Sequence, residues 1–218
     1  MRVSVLRFRS VVIVAACLGA LSGCVVAVGG AALGGAVVAT DRRSMGMQLE
    51  DAQIEHRISS ALDERFARES VHIDVTSYDQ KVLLTGAVPH EKDRSDAEAI
   101  AAASEGVRQV VNELTIGSLS GLQSLTEDNA LAGKVRSALL EERTLPRGAI
   151  KVTCADGTIY LLGRVGAAEA QTAEHAASRV GGVKRVVALF DLLSESELTQ
   201  VQRDAQTKAP AASSPEAH

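Results

Sequence analysis

The sequence predicts an α+β protein made of two tandem copies of one small unit, each with the element order α-β-β-α-β. The first observation behind this is an internal repeat, in which three segments recur in the same order at offsets of 76 or 77 residues. The recurring pairs are 53–66 with 130–143, 81–86 with 158–163, and 106–114 with 182–190. A period this long indicates a duplicated domain rather than a solenoid.

Periodicity within each copy supplies the second and third observations. Apolar residues from Ile54 to Phe66 recur with the spacing of an amphipathic helix. They are followed by residues 71–75, where apolar and polar residues alternate as in a half-buried strand. In the second copy Ile150, Val152 and Cys154 alternate in the same way, which predicts that Cys154 is a small buried apolar residue.

A hairpin and a crossover complete each unit. Asp156–Gly157 predicts a two-residue turn, whereas the first copy has a looser "SYDQK" there. The second strand of each copy is expected to end at Gly86 or Gly163, where a close backbone approach is expected. Alanine-rich helices over 90–104 and 167–180 and last strands over 107–116 and 183–192 follow. We therefore expect a mixed three-stranded sheet packed against two helices on one face.

The composition limits the function. The 218 residues are 46% hydrophobic but only 2% aromatic, without Trp, so the cores are aliphatic. The net charge of −4 argues against nucleic acid as a partner. The three cysteines and five histidines lack the spacing of a metal site, and no catalytic motif is present, so we expect no metal, no cofactor and no enzyme activity.

The first residues have the pattern of an exported chain. Arginines at 2, 7 and 9 precede an apolar run from Ser10 to Leu21, which is typical of a signal peptide. "LSGC", ending at Cys24, resembles a bacterial lipobox; the resemblance implies cleavage before Cys24, a diacylglycerol on its sulfur and an acyl chain on its new amine. Since Val25 follows rather than Asp, it also implies transfer to the outer membrane. The alternative is an uncut membrane helix, because no charge occurs from Ser10 to Thr40.

The predicted organisation is therefore a lipoprotein with two folded units. Its parts are a signal peptide (1–23), a lipidated Gly/Ala-rich tether (24–48), a first domain (49–117), a linker (118–125), a second domain (126–194) and a disordered tail (195–218). Thr126 or Asp128 is expected to cap the first helix of the second domain.

The repeated unit resembles the BON domain, a bacterial module with the same element order. The likeness rests on "VLLTG" and "IYLLG", on "GVRQVVNEL" and "GVKRVVALF", and on the helix "KVRSALL". Together with the lipobox and "TDRRS" (Thr40 to Ser44), the pattern is similar to that of outer-membrane lipoproteins with two BON domains. For those, the resemblance implies binding of anionic phospholipids at the inner leaflet of the outer membrane, a role in envelope integrity, and contact through the first helix of the second domain.

The charges agree with such a division of roles. Residues 51–116 hold 7 basic and 13 acidic residues, a net charge of −6, whereas residues 126–193 hold 9 and 8, a net charge of +1. An anionic surface repels the first unit and tolerates the second. The candidate lipid-binding residues lie on two stripes of the predicted helix and are Ala130, Lys134, Arg136, Ser137, Leu140 and Arg143.

Alternatives remain open at this point. The cations of that helix can equally be ordinary solvated charges on a surface helix. The domains can also serve as an adaptor for outer-membrane assembly proteins, with lipid only as the anchor, or the chain can be a periplasmic osmotic-stress chaperone. The absence of Trp removes the usual aromatic anchor of an interfacial helix.

Overall fold

The computed structural model describes residues 41–66, 71–117 and 122–208. The elements of the first domain are α1 (Met45–Arg65), β1 (His72–Tyr78), β2 (Lys81–Val88), α2 (Glu91–Ala103), β3 (Gln109–Asn112) and β4 (Thr115–Ile116). The elements of the second are α3 (Leu122–Glu141), β5 (Ile150–Ala155), β6 (Thr158–Val165), α4 (Ala167–Ser178) and β7 (Arg185–Leu192), and α5 (Glu195–Lys208) follows. The predicted signal peptide and Cys24 lie outside the described residues.

The predicted fold class and element order are confirmed. In each domain the hairpin is antiparallel and the strand after the crossover helix returns parallel to the central strand, β2 or β6. The last strand of the first domain differs from the prediction because it is broken into β3 and β4. Leu114 turns into the core at this break, and the side-chain oxygen of Asn112 accepts a hydrogen bond from its N–H.

The central strands do not end at their glycines, as the sequence suggested, but continue to Val88 and Val165. The expected close approach is present. Gly86 has a φ of +116°, and a Cβ there would lie 2.1 Å from the carbonyl oxygen of His72. At Gly163 a Cβ would lie 2.7 Å from the carbonyl oxygen of Ala149. In both domains the glycine lets the central strand pass close to its hairpin partner.

Replacing Gly86 therefore tests this close approach. We expect Gly86→Ala to lower the free energy of unfolding by about 1–3 kcal/mol, since both the positive φ and the clash strain the backbone. Gly133→Ala is the matched control: Gly133 lies inside α3 with no atom within 4 Å of an added Cβ, so the change should stabilise the protein by about 0.5–1 kcal/mol. Urea denaturation measures both, and destabilisation by Gly133→Ala or none by Gly86→Ala would contradict the argument.

Three predicted boundaries need correction. The tether was expected to reach residue 48, but Ser44 caps α1, its hydroxyl accepting a hydrogen bond from the N–H of Met47. The linker was expected to reach residue 125, but α3 begins at Leu122, so neither Thr126 nor Asp128 is its cap. The tail was expected to be disordered from residue 195, but residues 195–208 form α5, and Ser194 and Glu197 exchange hydrogen bonds at its start.

Each domain has its own aliphatic core between helices and sheet. In the first, Ile54, Ile58 and Leu62 of α1 meet Val82 and Leu84 of β2. In the second, the corresponding residues of α3 and β6 are Leu131, Val135, Leu139, Ile159 and Leu161. Because alternate residues of a strand point to opposite faces, the residues between these on β2 and β6 point away from the helices.

Those outward residues join the two sheets face to face. Tyr78 and Leu83 of the first domain and Tyr160 and Leu162 of the second form a third buried cluster. Among the described residues of the two domains, three ion pairs link the sheets, with N–O distances of 2.7–2.8 Å: Lys81–Asp191, Lys151–Glu55 and Arg185–Glu113. The domains thus stack in four layers, with the sheets inside and α1 and α3 in opposite outer layers.

One carboxylate of the first helix holds the hairpin turn in each domain. Asp51, 2% exposed, accepts hydrogen bonds from the N–H groups of Asp79 and Gln80 and from the hydroxyl of Ser77, at 2.7–2.8 Å. Asp79 and Gln80 both have positive φ, so "SYDQK" forms the same kind of tight turn as the second domain.

Asp128, 77 residues after Asp51, does the same for the second hairpin. It accepts hydrogen bonds from the N–H groups of Asp156 and Gly157 at 2.7 and 2.8 Å and from the Cys154 thiol at 3.1 Å. The carboxylate at this helix position is therefore part of the repeated unit, and its function is to hold the turn rather than to cap the helix.

Candidate functional site

The predicted site lies on the solvent side of α3. The apolar stripe of this helix packs against the sheet, with Leu131, Val135 and Leu139 buried. All six candidate residues are exposed: Ala130, Lys134, Arg136, Ser137, Leu140 and Arg143. Arg143 lies in the turn after the helix rather than on it.

The two predicted stripes are neighbouring parts of one exposed surface. With about 3.6 residues per helical turn, Ala130, Lys134 and Ser137 fall on one side of this surface, and Arg136 and Leu140 on the other. Leu140 is 54% exposed. Cations therefore flank a central strip of small residues and one leucine.

The cations at the two borders of this surface, Arg136 and Lys134, have different surroundings. Arg136 Nη2 donates to the carbonyl oxygen of Val152 at 3.1 Å, which holds its side chain over β5. Lys134 lines an open groove of about 320 Å³ together with Gly157, Gly182 and Lys184. The carboxylates that also line this groove, such as that of Asp128, make it unsuited to an anionic ligand by itself.

The two domains differ more clearly in whether their Lys and Arg side chains are paired than in their net charge. Every Lys and Arg of the described part of the first domain, from Arg57 to Arg108, is in an ion pair. In the second domain Lys134, Arg143 and Arg147 have no hydrogen-bond or ion-pair partner among the described residues. These three cations lie on α3 or just after it and are available to an external anion.

Cys154 is half-buried and packs at the edge of the second core, and it also donates to Asp128. Burial and the neighbouring Asp128 carboxylate raise the pKa of its thiol to about 12. Such a thiol is protonated at neutral pH, so it is not an activated nucleophile. Its counterpart in the first domain is Ser77, which makes the equivalent hydrogen bond to Asp51.

Two arginines of "TDRRS" have contacts that the sequence did not indicate. Arg42, with a side chain 4% exposed, binds both carboxylate oxygens of Glu169 at 2.6 and 2.8 Å and the carbonyl oxygen of Arg164 at 2.8 Å. Arg43 binds Asp51 at 2.7 Å, and its guanidinium lies 4.0 Å from the centre of the Tyr78 ring. We call Arg42 and Arg43 the latch, because one holds the second domain and the other the first.

Glu169 is specialised for this contact. Burial raises its pKa, but the hydrogen bonds from Arg42 and from the N–H of Gly166 outweigh burial and hold the pKa below its ordinary value. The carboxylate thus caps α4 and binds the latch at once. The only sequence signal of these contacts was the pair of adjacent arginines. The partner of Arg42 lies 127 residues away in the sequence and the partner of Arg43 lies eight residues away.

The described residues contain neither a membrane-spanning helix nor a cluster of metal ligands. No helix within the described ranges is long and apolar enough to cross a bilayer. Across residues 41–66, 71–117 and 122–208, no group of three or more His, Cys, Asp or Glu side chains is placed to hold a metal ion.

The sequence pattern of the BON domain matches residues 50–118 and 127–193. The chain is 34% identical to Outer membrane lipoprotein DolP of Haemophilus influenzae over 174 residues, which cover 79% of this chain and 90% of that protein.

Two further relatives are more distant. The chain is 30% identical to the 21 kDa hemolysin of Actinobacillus pleuropneumoniae, covering 69% of this chain and 78% of that protein. It is 28% identical to Osmotically-inducible protein Y of Escherichia coli, covering 70% and 77%. The two BON-domain matches, 50–118 and 127–193, fall on the two α-β-β-α-β units.

Proposed function

The chain belongs to the BON-domain family as a DolP-like protein with two such domains, and from that premise we propose that it is an outer-membrane lipoprotein that binds anionic phospholipid. In this proposal Cys24 carries the diacylglycerol and the N-acyl chain, and the domains lie on the periplasmic side. The name of the Haemophilus relative and the lipobox-like "LSGC" support the anchor. The cellular role is support of outer-membrane integrity.

The observation that carries the lipid-binding part is the group of partnerless cations at α3. Lys134 and Arg143 flank Leu140, so phosphate head groups can pair with the cations while the leucine enters the boundary of the acyl chains. Each Lys or Arg near an anionic membrane contributes about 1 kcal/mol. A single weak contact of this kind is sufficient for a chain already held at the bilayer by acyl chains.

Charge reversal at α3 tests the proposal. We expect Lys134→Glu with Arg143→Glu to reduce binding of residues 41–208 to phosphatidylglycerol vesicles by about tenfold or more, since two attractive charges become repulsive. Vesicle co-sedimentation at low and high salt measures this. The matched control is Lys92→Glu with Arg108→Glu, which reverses two cations of the first domain that are already paired.

The control should leave binding nearly unchanged. Equal losses in both variants, or equal binding to neutral phosphatidylcholine vesicles, would contradict a lipid site on α3. Unchanged lipid binding together with crosslinking of α3 to an outer-membrane assembly protein in cells would favour the adaptor alternative.

Mass spectrometry of the mature N-terminus tests the anchor, and an unmodified Cys24 would remove it.

A further inference from the structure

The latch fixes the start of the described chain at one end of the two-domain body. Arg42 binds Glu169 and the carbonyl of Arg164, where β6 ends and α4 begins. Arg43 binds Asp51, which also holds the turn Asp79–Gln80. The chain between Asp41 and Met45 therefore has a fixed position against both domains.

Residues 146–149 of the second domain lie at the same end. The hydroxyl of Tyr78, next to this turn, is 3.5 Å from the carbonyl oxygen of Ala149. Arg147 stands two residues before Ala149 and is exposed. We call the group formed by residues 41–45, the turn 79–80 and residues 146–149 the anchor-side end.

Helix α3 points its C-terminal end toward the anchor-side end. Asp128, near its start, holds the turn Asp156–Gly157 at the opposite end of the second domain. Two turns later Arg136 contacts Val152, halfway along β5. Leu140 and Arg143 are therefore close to the anchor-side end, whereas Ala130 lies far from it.

Apolar side chains and unpaired arginines are exposed at or beside the anchor-side end. Met45 is 65% exposed and Leu140 is 54% exposed. Arg143 and Arg147 have no partner among the described residues. The carboxylates that the latch and the turn bring to this end are neutralised by arginines, in the pairs Asp41–Arg43, Asp51–Arg43, Glu169–Arg42 and Asp79–Arg108.

The layer order excludes a flat contact of both α1 and α3 with one membrane. Their exposed sides face away from each other, since two sheets lie between them. Met45 and Leu140 can meet the same bilayer only if the body approaches it with the anchor-side end. The sequence immediately before Asp41 favours this approach, because residues 25–40 are only Val, Ala, Gly, Leu and Thr.

We infer that the protein contacts an anionic bilayer through its anchor-side end, with Met45 of the first domain and Arg147 of the second as contact residues beside Leu140 and Arg143. This inference rests on the proposed lipid anchor and adds to α3 a surface shared by both domains. The latch sets the orientation by holding the chain that follows the anchor against both domains.

Site-directed labelling of the full lipidated chain tests the orientation. The background is Cys154→Ser, which installs the residue that the first domain has at Ser77. One fluorophore is attached after each of Met45→Cys, Arg147→Cys, Ala130→Cys and Ser95→Cys, the last being an exposed control on α2. The chain is reconstituted in phosphatidylethanolamine–phosphatidylglycerol vesicles with or without lipids that carry a nitroxide quencher near the head group.

Contact through the anchor-side end predicts that labels at 45 and 147 lose fluorescence to the nitroxide lipids, while labels at 130 and 95 do not. Loss at 130 without loss at 45 would mean that α3 lies flat, which overturns the inference but retains the proposed lipid binding. No loss at any position would overturn both. A label at 45 that is blue-shifted but unquenched would show protein covering this end, which also overturns the inference.

The latch is tested in the same vesicles. Arg42→Ala with Arg43→Ala should reduce the quenching at both 45 and 147, because the body is then free to turn relative to its anchor. Arg57→Ala is the matched control, since Arg57 pairs with Glu50 on α1 outside the latch. Unchanged quenching in the latch variant, with circular dichroism showing a folded protein, would remove the latch from the orientation.

Discussion

Asp51→Ala should destabilise the first domain by about 3–5 kcal/mol, the range for removing one partner of a buried ion pair. The carboxylate is 2% exposed and accepts from two backbone N–H groups, one hydroxyl and Arg43. Its loss leaves Asp79 and Gln80 at positive φ without the contacts that hold them there. Hydrogen exchange of their amides, together with urea denaturation, measures the effect.

Asp128→Ala is the matched comparison and should be milder. The second turn contains Asp156–Gly157, a pair that adopts this turn readily because glycine tolerates positive φ. If the two alanine variants lost equal stability, the contribution of the strained Asp79–Gln80 turn would be negligible. If Asp51→Ala changed stability by less than 1 kcal/mol, the buried carboxylate would not be structural.

The same carboxylate predicts an acid dependence. Burial raises the pKa of Asp51, but the hydrogen bonds from the N–H of Gln80, from Ser77 and from Arg43 outweigh it and hold the pKa below its ordinary value. The stabilisation is therefore complete above the pKa of the unfolded chain and is lost as the pH falls through the folded value. Asp51→Asn should flatten this acid limb, as measured by urea denaturation between about pH 3 and 6.

Leu83→Ala should weaken the contact between the domains, with a loss of about 2–5 kcal/mol for a fully buried leucine. Leu83 points into the cluster with Tyr160 and Leu162, whereas Leu84, next to it and equally buried, points into the core of its own domain. Leu84→Ala is therefore a control of equal size and burial on the other face of the same strand.

Hydrogen exchange distinguishes the effects of the two variants. Leu83→Ala should lower the protection of β6 amides in the second domain as well as those of β2. Leu84→Ala should act mainly on the first domain. Equal effects of both variants on β6 would mean that the sheets are coupled by the three ion pairs or by the chain connection rather than by this apolar cluster.

The internal repeat and the alternation of apolar and polar residues predicted the fold of each domain, because the helices and strands follow from local periodicity. The pairing of the sheets was not predicted, although "VLL" and "YLL" put apolar residues on both faces of the central strands, which is a signal of two-sided burial. The pattern shows that a second face is buried but not which surface covers it.

Other features were not predicted from the sequence, for different physical reasons. Asp79–Gln80 is an unfavourable local sequence for its turn, and only the distant Asp51 makes it stable. The helix α5 was missed because its residues are polar, although Ser194 and Glu197 have the spacing of a capping box. The candidate residues of α3 are exposed, and their lipid contact stays a prediction.

The face-to-face sheets also bear on how the two copies have diverged. At core positions the copies have kept similar side chains, Val82 with Ile159 and Leu84 with Leu161. At the outward positions they have not: Tyr160 stands where the first copy has Leu83, and Leu162 where it has Thr85. After a duplication, two identical faces can pair with any copy, including one from another molecule. Because the side chains at these positions now differ, the two contacting faces are no longer identical, and the contact joins unlike surfaces.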